Sequence, residues 1–368
     1  MPPVYRFLLT DLMSRKVLSD AIAFNLSSYA RALNGSGDCS GTLDLSDPEV
    51  YRHTDPIGST EPRRTALWVI RDGALVWGGI IWTRRYRSAD HNLDLTVSSP
   101  ESYFNRRRIR ETLTYTNRDQ HDILHSLVNH AQAQPYGNIG VVVPGWQASG
   151  RPGRDRTYAW HERATYLERM QQLSEVIDGP DWTMTPDWTG PGQPGWYLNT
   201  GSPLGSTRDL DLEFPGDFRN YSWPDDGGNS ANFWTAIGDP VGEEETPQMR
   251  DAQVSAEWAV GYPLLEDISN HQGVSVADTL SGYAQANVKA AAGNRVVPEG
   301  TLRLLDFAEL PAPGDEYRLR ITDPYRWPAN PVTGAAGLIV PNVRVTGWTV
   351  NVSADEGETV SLNITGVA

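Results

Sequence analysis

Two histidines four positions apart, His121 and His125 in the run His-Asp-Ile-Leu-His, have the spacing best suited to chemistry. The run is similar to the HExxH helix of zinc metalloproteases, in which two imidazoles hold the metal and a carboxylate activates its bound water. Here the carboxylate is the shorter Asp122, and His130 falls about 180° away around the helix, so no third local ligand completes a site. Both histidines also lie off the apolar stripe of the helix. We therefore predict surface histidines without a metal.

Other motifs supply the side chains of a cation site without its spacing. Residues 225–229, Asp-Asp-Gly-Gly-Asn, lack the ligand ladder and closing glutamate of a calcium loop, and residues 243–245, three glutamates, are most simply a solvated tip. The sequence has no phosphate-binding loop, dinucleotide fingerprint or nucleophile elbow. The single cysteine, Cys39, excludes an intrachain disulfide and is expected to be a small buried thiol. The sequence thus predicts no catalytic residue, no metal site and no cofactor.

The composition limits the class of protein. The chain has 368 residues, enough for two or three domains, and 46 acidic against 31 basic residues, a net charge of -15. Such an acidic chain is a poor general binder of duplex DNA. No apolar run approaches a membrane span, and we expect no secretory signal at the N-terminus. Arginine supplies every basic residue except Lys16 and Lys289, which hints at a GC-rich genome.

Charge is unevenly distributed along the chain. Residues 1–110 hold 15 basic and 12 acidic residues, whereas residues 201–260 hold 3 and 12. Two arginine clusters stand in the first part: Arg84, Arg85 and Arg87, then Arg106, Arg107, Arg108 and Arg110. One interpretation is solvated strand ends and a basic helix start. The other is a basic docking surface for an acidic protein, or the lining of a channel for nucleic acid.

Strands dominate both ends of the sequence. Residues 65–97 predict an antiparallel β-meander, half solvated, with a tight turn at Gly73 and a bulge or corner at Gly78-Gly79 before Trp82. Residues 317–364 show the same order of elements: a strand carrying Gly347 and Trp348, a polar turn and a strand of alternating apolar and polar residues. This repetition is either a duplicated small β-barrel or generic β-sheet sequence. Gly73, Gly79, Trp82, Gly347 and Trp348 are the structural residues that the pattern selects.

The middle of the chain is predicted to contain helices. Ile123, Leu124, Leu127, Val128 and Ala131 form an apolar stripe, a second helix covers residues 162–177, and a third covers 274–292 with Ser275 as its cap. The predicted fold class is mainly β with α+β insertions, with two small barrel-like β domains flanking helix-containing middle domains. We place the boundaries at 1–115, 116–215, 216–298 and 299–368.

Several strings carry a family resemblance. LWVIRDGALVWGGIIWTRRY, LTVSSPESYFNRRRI and the helix at 119–133 resemble the minor tail proteins of long-tailed actinobacterial phages, in particular their tail-tip, or baseplate, hub members. YPLLEDISNHQGVSVADTLSGYA, LPAPGDEYRLRI and VRVTGWTVNVSADEGETVSLNI fit the same family, so the resemblance runs from about residue 20 to the end.

The resemblance implies a structural function in the virion. Hub proteins of this kind form a homotrimer in which two barrel domains per chain match a six-fold tail tube. The hub closes the tube and contacts the distal tail protein, the tape-measure protein, and receptor-binding or fibre proteins. It opens for DNA ejection without sequence-specific DNA binding or integral membrane association, and is made in the host cytoplasm. Many tail-tip proteins continue into a hydrolase or fibre, whereas this chain ends at Ala368, so those activities are expected of partner proteins.

Three alternatives remain at this level. A distal tail protein would form a hexamer instead of a trimer. A cell-wall hydrolase would use His121 and His125. A carbohydrate-binding module would use exposed tryptophans, although Trp77, Trp82, Trp258 and Trp348 are predicted to be core. We expect a non-enzymatic protein.

Overall fold

The structure is a computed structural model that describes residues 3–52, 55–176, 179–224, 227–241, 246–271, 273–293, 299–303, 310–353 and 357–365. Its strands are β1 (Tyr5–Asp11), β2 (Val17–Ser19), β3 (Asn25–Ala32), β4 (Asp38–Asp44), β5 (Thr65–Arg71), β6 (Ala74–Arg87), β7 (Asn92–Ser98), β8 (Leu113–Arg118), β9 (Val141–Val142), β10 (Arg154–Tyr158), β11 (Asp181–Gly190), β12 (Gln193–Gly201), β13 (Thr207–Phe214), β14 (Phe218–Ser222), β15 (Phe233–Ile237), β16 (Met249–Gln253), β17 (Glu266–Asn270), β18 (Glu299–Arg303), β19 (Glu316–Ile321), β20 (Leu338–Ser353) and β21 (Gly357–Thr365). Its helices are α1 (Pro48–Tyr51), α2 (Pro56–Ser59), α3 (Glu101–Phe104), α4 (Gln120–Ala133), α5 (Tyr166–Ser174), α6 (Ser255–Ala259) and α7 (Ala277–Ala291), with a 3-10 turn at Trp160–Glu162.

One large sheet joins the two ends of the chain. Its thirteen strands run in the order β14-β18-β21-β20-β3-β4-β7-β6-β5-β1-β2, with β19 added to β20 and β13 added to β19. The N-terminal and C-terminal β units meet where Gly347–Asn351 of β20 pairs with β3. The predicted class, mainly β with helical insertions, is confirmed. Among the described residues the pairings leave this sheet open, so neither β unit is a closed barrel. The predicted domain boundaries stay predictions.

The large sheet folds over so that its distant strands meet through side chains. Arg71 at the end of β5 donates two hydrogen bonds, of 2.9 and 2.6 Å, to Glu358 of β21, and the Tyr5 hydroxyl bonds the same carboxylate. In the pairing order five strands separate β5 from β21. A single apolar core fills the space between them, with Phe7 and Val69 from one half and Val345 from the other.

Most of β1, all but the end of β5, and residues 77–81 of β6 are buried on both faces. Along β5, Leu67 and Val69 face the core of the large sheet, whereas Ala66, Trp68 and Ile70 face a second core. The second core lies beneath α4, α5 and the small sheet of β9, β12 and β11. The expectation of a half-solvated meander is therefore wrong for β5, since the helical insertion covers the face that would otherwise contact water.

The turn of the meander is confirmed, whereas its bulge lies elsewhere. Asp72 and Gly73 have φ of +50° and +87°, the left-handed conformations that a two-residue hairpin turn needs. Gly78 and Gly79 keep regular register with β5, and the register shifts fall between Val69 and Ile70 and between Ile81 and Thr83. The two glycines instead leave room for indole rings, since a Cβ on Gly78 would contact Trp68.

The helices follow the predicted apolar stripes but differ at their ends. Helix α4 is capped by Asp119, whose carboxylate accepts from the His121 N–H, and all five residues of its stripe are fully buried. Helix α5 is shorter than predicted because Thr165 and Glu168 form a capping box at its start; Ile177 lies outside the described residues. Helix α7 begins after Val276, so Ser275 is not its cap.

The acidic part of the chain contains a third, smaller unit. The sheet β16-β15-β17 packs against α7, with Ala236, Leu280, Tyr283 and Ala284 buried between them. Within the described ranges, no helix has both the length and the apolarity to cross a membrane.

Candidate functional site

The two arginine clusters differ in how far the fold neutralises them. On β6, Arg84 pairs with Glu61 at 2.9 Å, and Arg87 pairs with Asp90 at 2.6 Å and Asp94 at 2.9 Å. Between them, Arg85 is exposed and has no carboxylate within 4 Å in the described part of the chain. The first cluster is therefore mostly a set of intramolecular ion pairs at a strand end, and a role in docking stays a prediction.

The second cluster is not neutralised. Across the described ranges, none of Arg106, Arg107, Arg108 and Arg110 has a carboxylate oxygen within 4 Å of its guanidinium group. Arg106 lies over the Trp82 ring at 5.7 Å, while Arg107, Arg108 and Arg110 line one cavity of about 620 Å³. We call this cavity the basic pocket.

Local sequence explains why these arginines converge. Ile109 is buried and its N–H donates to the Ala164 carbonyl, while the Tyr166 N–H donates to the Arg107 carbonyl. The segment after α3 is thereby held against the start of α5, and Arg108 forms an isolated bridge with Thr165. With Ile109 turned inward, the arginines on both sides of it point outward.

Aromatic and imidazole groups form the other wall of the basic pocket. The Tyr103 hydroxyl accepts from Arg107 Nη1 at 2.5 Å and donates to the Gly137 carbonyl. His130 Nδ1 lies 2.7 Å from the Tyr166 hydroxyl, and its Nε2 lies 2.6 Å from Glu111 Oε1. Burial raises the pKa of Tyr166 to about 12, so this hydroxyl stays protonated at neutral pH. The arginine wall suits an anion, while the other wall carries one carboxylate, Glu111, bonded to His130.

The predicted structural residues lie mostly in the core. Trp348 is buried edge-on to Tyr29 at 5.8 Å, with Arg31 over its ring at 5.4 Å. Gly347 stands at a register shift of β20, and Trp82 is half-buried with its indole N–H donating to the Ser102 hydroxyl at 2.8 Å. They are structural positions in the fold; a role in function stays a prediction.

The histidine pair is placed differently from its prediction. His121 and His125 are only 6% and 4% exposed, because the loop from Pro144 to Ser149 and the end of β12 cover that face of α4. His121 Nε2 lies 2.7 Å from the Ser202 hydroxyl, and His125 Nε2 lies 3.1 Å from that of Thr200. Burial lowers the pKa of both imidazoles. The expectation of surface histidines is wrong, since the polar face of a helix can be covered by polar partners from a distant strand.

The remaining candidates concern cation binding and the single cysteine. In the part of the chain that the structure describes, no three His, Cys, Asp or Glu side chains are grouped to hold an ion. Asp225, Asp226 and the three glutamates at 243–245 lie outside the described residues. Cys39 is buried as predicted, and burial raises the pKa of its thiol.

Sequence reasoning found the arginines of the basic pocket but missed its other wall. Tyr103, His130, Tyr136 and Tyr166 reach the pocket from three separate segments. Only His130 was noticed, as a failed metal ligand. One sequence feature pointed to this wall: Tyr136 is an aromatic residue in a polar Gln-Pro-Tyr-Gly turn. In the structure its side chain is 92% exposed.

Comparison with known proteins places the fold. No protein-family model matches the sequence, and no curated protein matches it significantly. The structure is similar to the 43 kDa tail protein of prophage MuSo2 from Shewanella oneidensis, at a TM-score of 0.61 and 13% identity over 98% of both chains. It is also similar to the tail protein from Neisseria meningitidis MC58, at a TM-score of 0.57 and 12% identity over 99% of this chain and 97% of that one.

A third likeness extends the set to another host. Prophage tail protein gp18 from Listeria monocytogenes EGD-e matches at a TM-score of 0.56 and 10% identity, over 97% of this chain and 94% of that chain. The chain therefore has the fold of phage tail proteins along its whole length. At these identities the likeness concerns the fold, and the sequence resemblance to actinobacterial phages stays a prediction.

Proposed function

We propose that this protein is a structural component of a phage tail tip, acting as the hub that closes the tail tube. The observation that carries the proposal is the fold, which is shared from end to end with tail proteins of three prophage or bacterial sources. The sequence resemblance to minor tail proteins points the same way independently.

The hub proposal includes an assembly. Three copies would surround the tube axis, each contributing the N-terminal and C-terminal β units that β3 and β20 join edge to edge. Closed rings of identical subunits are the usual geometry of such assemblies. The distal tail protein, the tape-measure protein and receptor-binding or fibre proteins would be the partners, and genomic DNA would pass during ejection without sequence-specific contact. The proposed location is the virion tail tip.

The proposed role is non-enzymatic. The motif that most resembled a catalytic one places both imidazoles against hydroxyl groups in buried positions. That geometry supports a packing role for the histidines.

Labelling of intact particles tests the function. Tailed particles are incubated with antibodies to this protein and viewed by electron microscopy, with pre-immune serum as the control. A single label at the distal end of the tail is expected. Label along the tail shaft or on the capsid would count against a tip position. Unlabelled particles that still react on blots after disruption of the tip would count against it only if the antigen is absent from purified tips.

Subunit counting separates the hub from a distal tail protein. Native mass spectrometry of the purified protein or of isolated tips is expected to give three copies. Six copies would replace the hub by the distal tail protein.

A further inference from the structure

The basic pocket concentrates positive charge that its own lining balances only in part, since three arginines face one carboxylate, Glu111, which is bonded to His130. Arg107, Arg108 and Arg110 line one cavity, and among the described residues no carboxylate lies within 4 Å of their guanidinium groups. Guanidinium planes pair with carboxylates through two parallel hydrogen bonds. We propose that the basic pocket binds the carboxylate side chains of an acidic polypeptide segment from a partner protein.

The hydrogen-bonding capacity for such a ligand is free. Arg107 Nη1 donates to Tyr103, and Arg108 Nη1 donates to the Arg163 carbonyl at 2.6 Å. Throughout the described ranges these two side chains have no other hydrogen-bond partner and Arg110 has none. Each of the three guanidinium groups therefore retains at least one edge that can take a carboxylate.

Part of the pocket is fixed before any ligand arrives. Arg107 is held against the Tyr103 ring, 5.4 Å from its centroid, and Ile109 fixes the backbone between the arginines. On the opposite wall, Tyr166, His130 and Glu111 form a chain of hydrogen bonds. Groups that are already fixed lose little conformational entropy when a ligand binds.

The surroundings favour a polypeptide over a small anion or a nucleic acid. Exposed Tyr136 stands in the cavity wall, and the surface continues beside Arg108 through Arg163, which lies over the Trp160 ring at 5.1 Å. An extended ligand can use this rim, whereas a single small anion cannot. Nucleic acid needs attraction along many phosphates, whereas the arginines here are gathered at one cavity.

The inference rests on the proposed function only in taking a neighbouring tail protein as the source of the segment. Binding is measured on the purified full chain, so its result is separate from particle labelling. A failure of labelling would leave a pocket that still binds acidic peptide, and a failure of binding would leave the tip position untouched.

Peptide binding to matched arginine variants tests the proposal. A fluorescent glutamate-rich peptide is titrated at about 0.05 M salt, where screening is modest, and its anisotropy is measured. We expect Arg108→Ala and Arg110→Ala each to weaken binding by about tenfold or more, since hydrogen bonds between charged groups are strong. Arg110→Lys keeps the charge without the paired geometry and is expected to fall between wild type and Arg110→Ala.

The control is Arg85→Ala, which removes an exposed arginine outside the pocket that has no ion-pair partner among the described residues, and it is expected to leave binding unchanged. An equal loss in Arg85→Ala would show general attraction to basic surface and overturn the proposal. So would the absence of binding to the wild type at about 1 mM. If a single-stranded oligonucleotide of equal charge bound more tightly, and lost binding in the same arginine variants, the ligand of the pocket would be nucleic acid instead of a polypeptide. Melting temperatures check folding, and Arg110→Lys remains informative if the alanine variants are destabilised.

Discussion

At the scale of the residue, Glu101 is a buried carboxyl in unfavourable electrostatic surroundings. Its side chain is 2% exposed at the start of α3, and Oε1 accepts the Met184 N–H at 2.9 Å, while Oε2 is buried and has no hydrogen-bond partner among the described residues. Burial raises the pKa of this carboxyl to about 7, against hydrogen bonds from Ser99 and Met184 and the nearby charge of Arg31 that lower it. A glutamic acid in this position titrates near neutral pH.

Glu101→Gln is expected to stabilise the protein at high pH. In the unfolded chain this carboxyl has its ordinary pKa of 4.5, whereas in the folded chain its pKa is about 7. Its contribution to the free energy of unfolding is therefore fully present below pH 4.5 and is lost as the pH rises through 7. Glutamine keeps the acceptor for Met184 without the charge. At pH 8 we expect a gain of about 3 kcal/mol in the free energy of unfolding, and no gain at pH 4.

Thermal or urea unfolding at both pH values measures this difference. Glu49→Gln, in an exposed pair with Arg52, is the control and is expected to change stability by less than about 1 kcal/mol at either pH. A pH-independent effect of Glu101→Gln would show that ionisation of this group does not limit stability.

His125 is expected to contribute stability and no metal binding. His125→Ala removes a buried imidazole and its bond to Thr200, and is predicted to cost about 1–3 kcal/mol. The exposed His161 is the matched control, with His161→Ala close to neutral. Isothermal titration with zinc is expected to show no specific binding to the wild type. Stoichiometric zinc binding that His125→Ala abolishes would restore the metalloprotease interpretation.

At the scale of elements, the periodicity of the sequence predicted the features that depend on neighbouring residues alone, such as buried faces and turns. The stripe from Ile123 to Ala131 fixed the buried face of α4, and Asp72-Gly73 fixed the turn between β5 and β6. Coverage of a second face depends on distant residues, so the burial of His121 and of both sides of β5 was not predictable. The basic pocket was half predictable for the same reason, since its arginines lie within residues 107–110 whereas its tyrosines are far apart in the sequence.

The meanders at the two ends share an arrangement of strands. β5-β6-β7 and β19-β20-β21 are each joined in sequence order, with a long central strand of 14 and 16 residues. Each central strand carries glycine beside tryptophan: Trp77-Gly78 in β6 and Gly347-Trp348 in β20. This common order supports the duplication hypothesis, which remains a proposal.

Gly79 in β6 and Gly73 in the turn before it test whether a position requires glycine for space or for its backbone conformation. A Cβ on Gly79 would contact the Trp77 ring and lie 2.6 Å from the Ser98 carbonyl oxygen, so Gly79→Ala must displace a paired strand. We expect a loss of about 2–4 kcal/mol. Gly73→Ala meets no atom within 4 Å but adopts φ +87°, and is expected to cost about 1 kcal/mol. Chemical denaturation compares the two; an equal or smaller loss for Gly79→Ala would show that β6 moves freely against β7.

At the scale of the whole molecule, the two β units share one sheet and one core. β3 pairs with β20, and Tyr29 from the first unit packs against Trp348 from the second. Arg71 and Glu358 add an ion pair between strands far apart in the pairing order, with Glu358 buried and Arg71 mostly so. Separate unfolding of either unit would expose this core, so the units should depend on each other.

Removal of β20 and β21 is therefore expected to unfold the N-terminal unit as well. A chain ending at Gly337 leaves β3 without its neighbour and exposes the faces that Val350 and Val360 cover. We expect a broad or absent thermal transition and dye binding typical of exposed apolar surface. The control deletes only residues 331–334, the tip of an exposed loop, and should keep a cooperative transition within a few degrees of wild type. If the truncated chain melts as cooperatively as the control, the boundary at residue 299 separates independent domains, and the continuous sheet is not what makes them fold together.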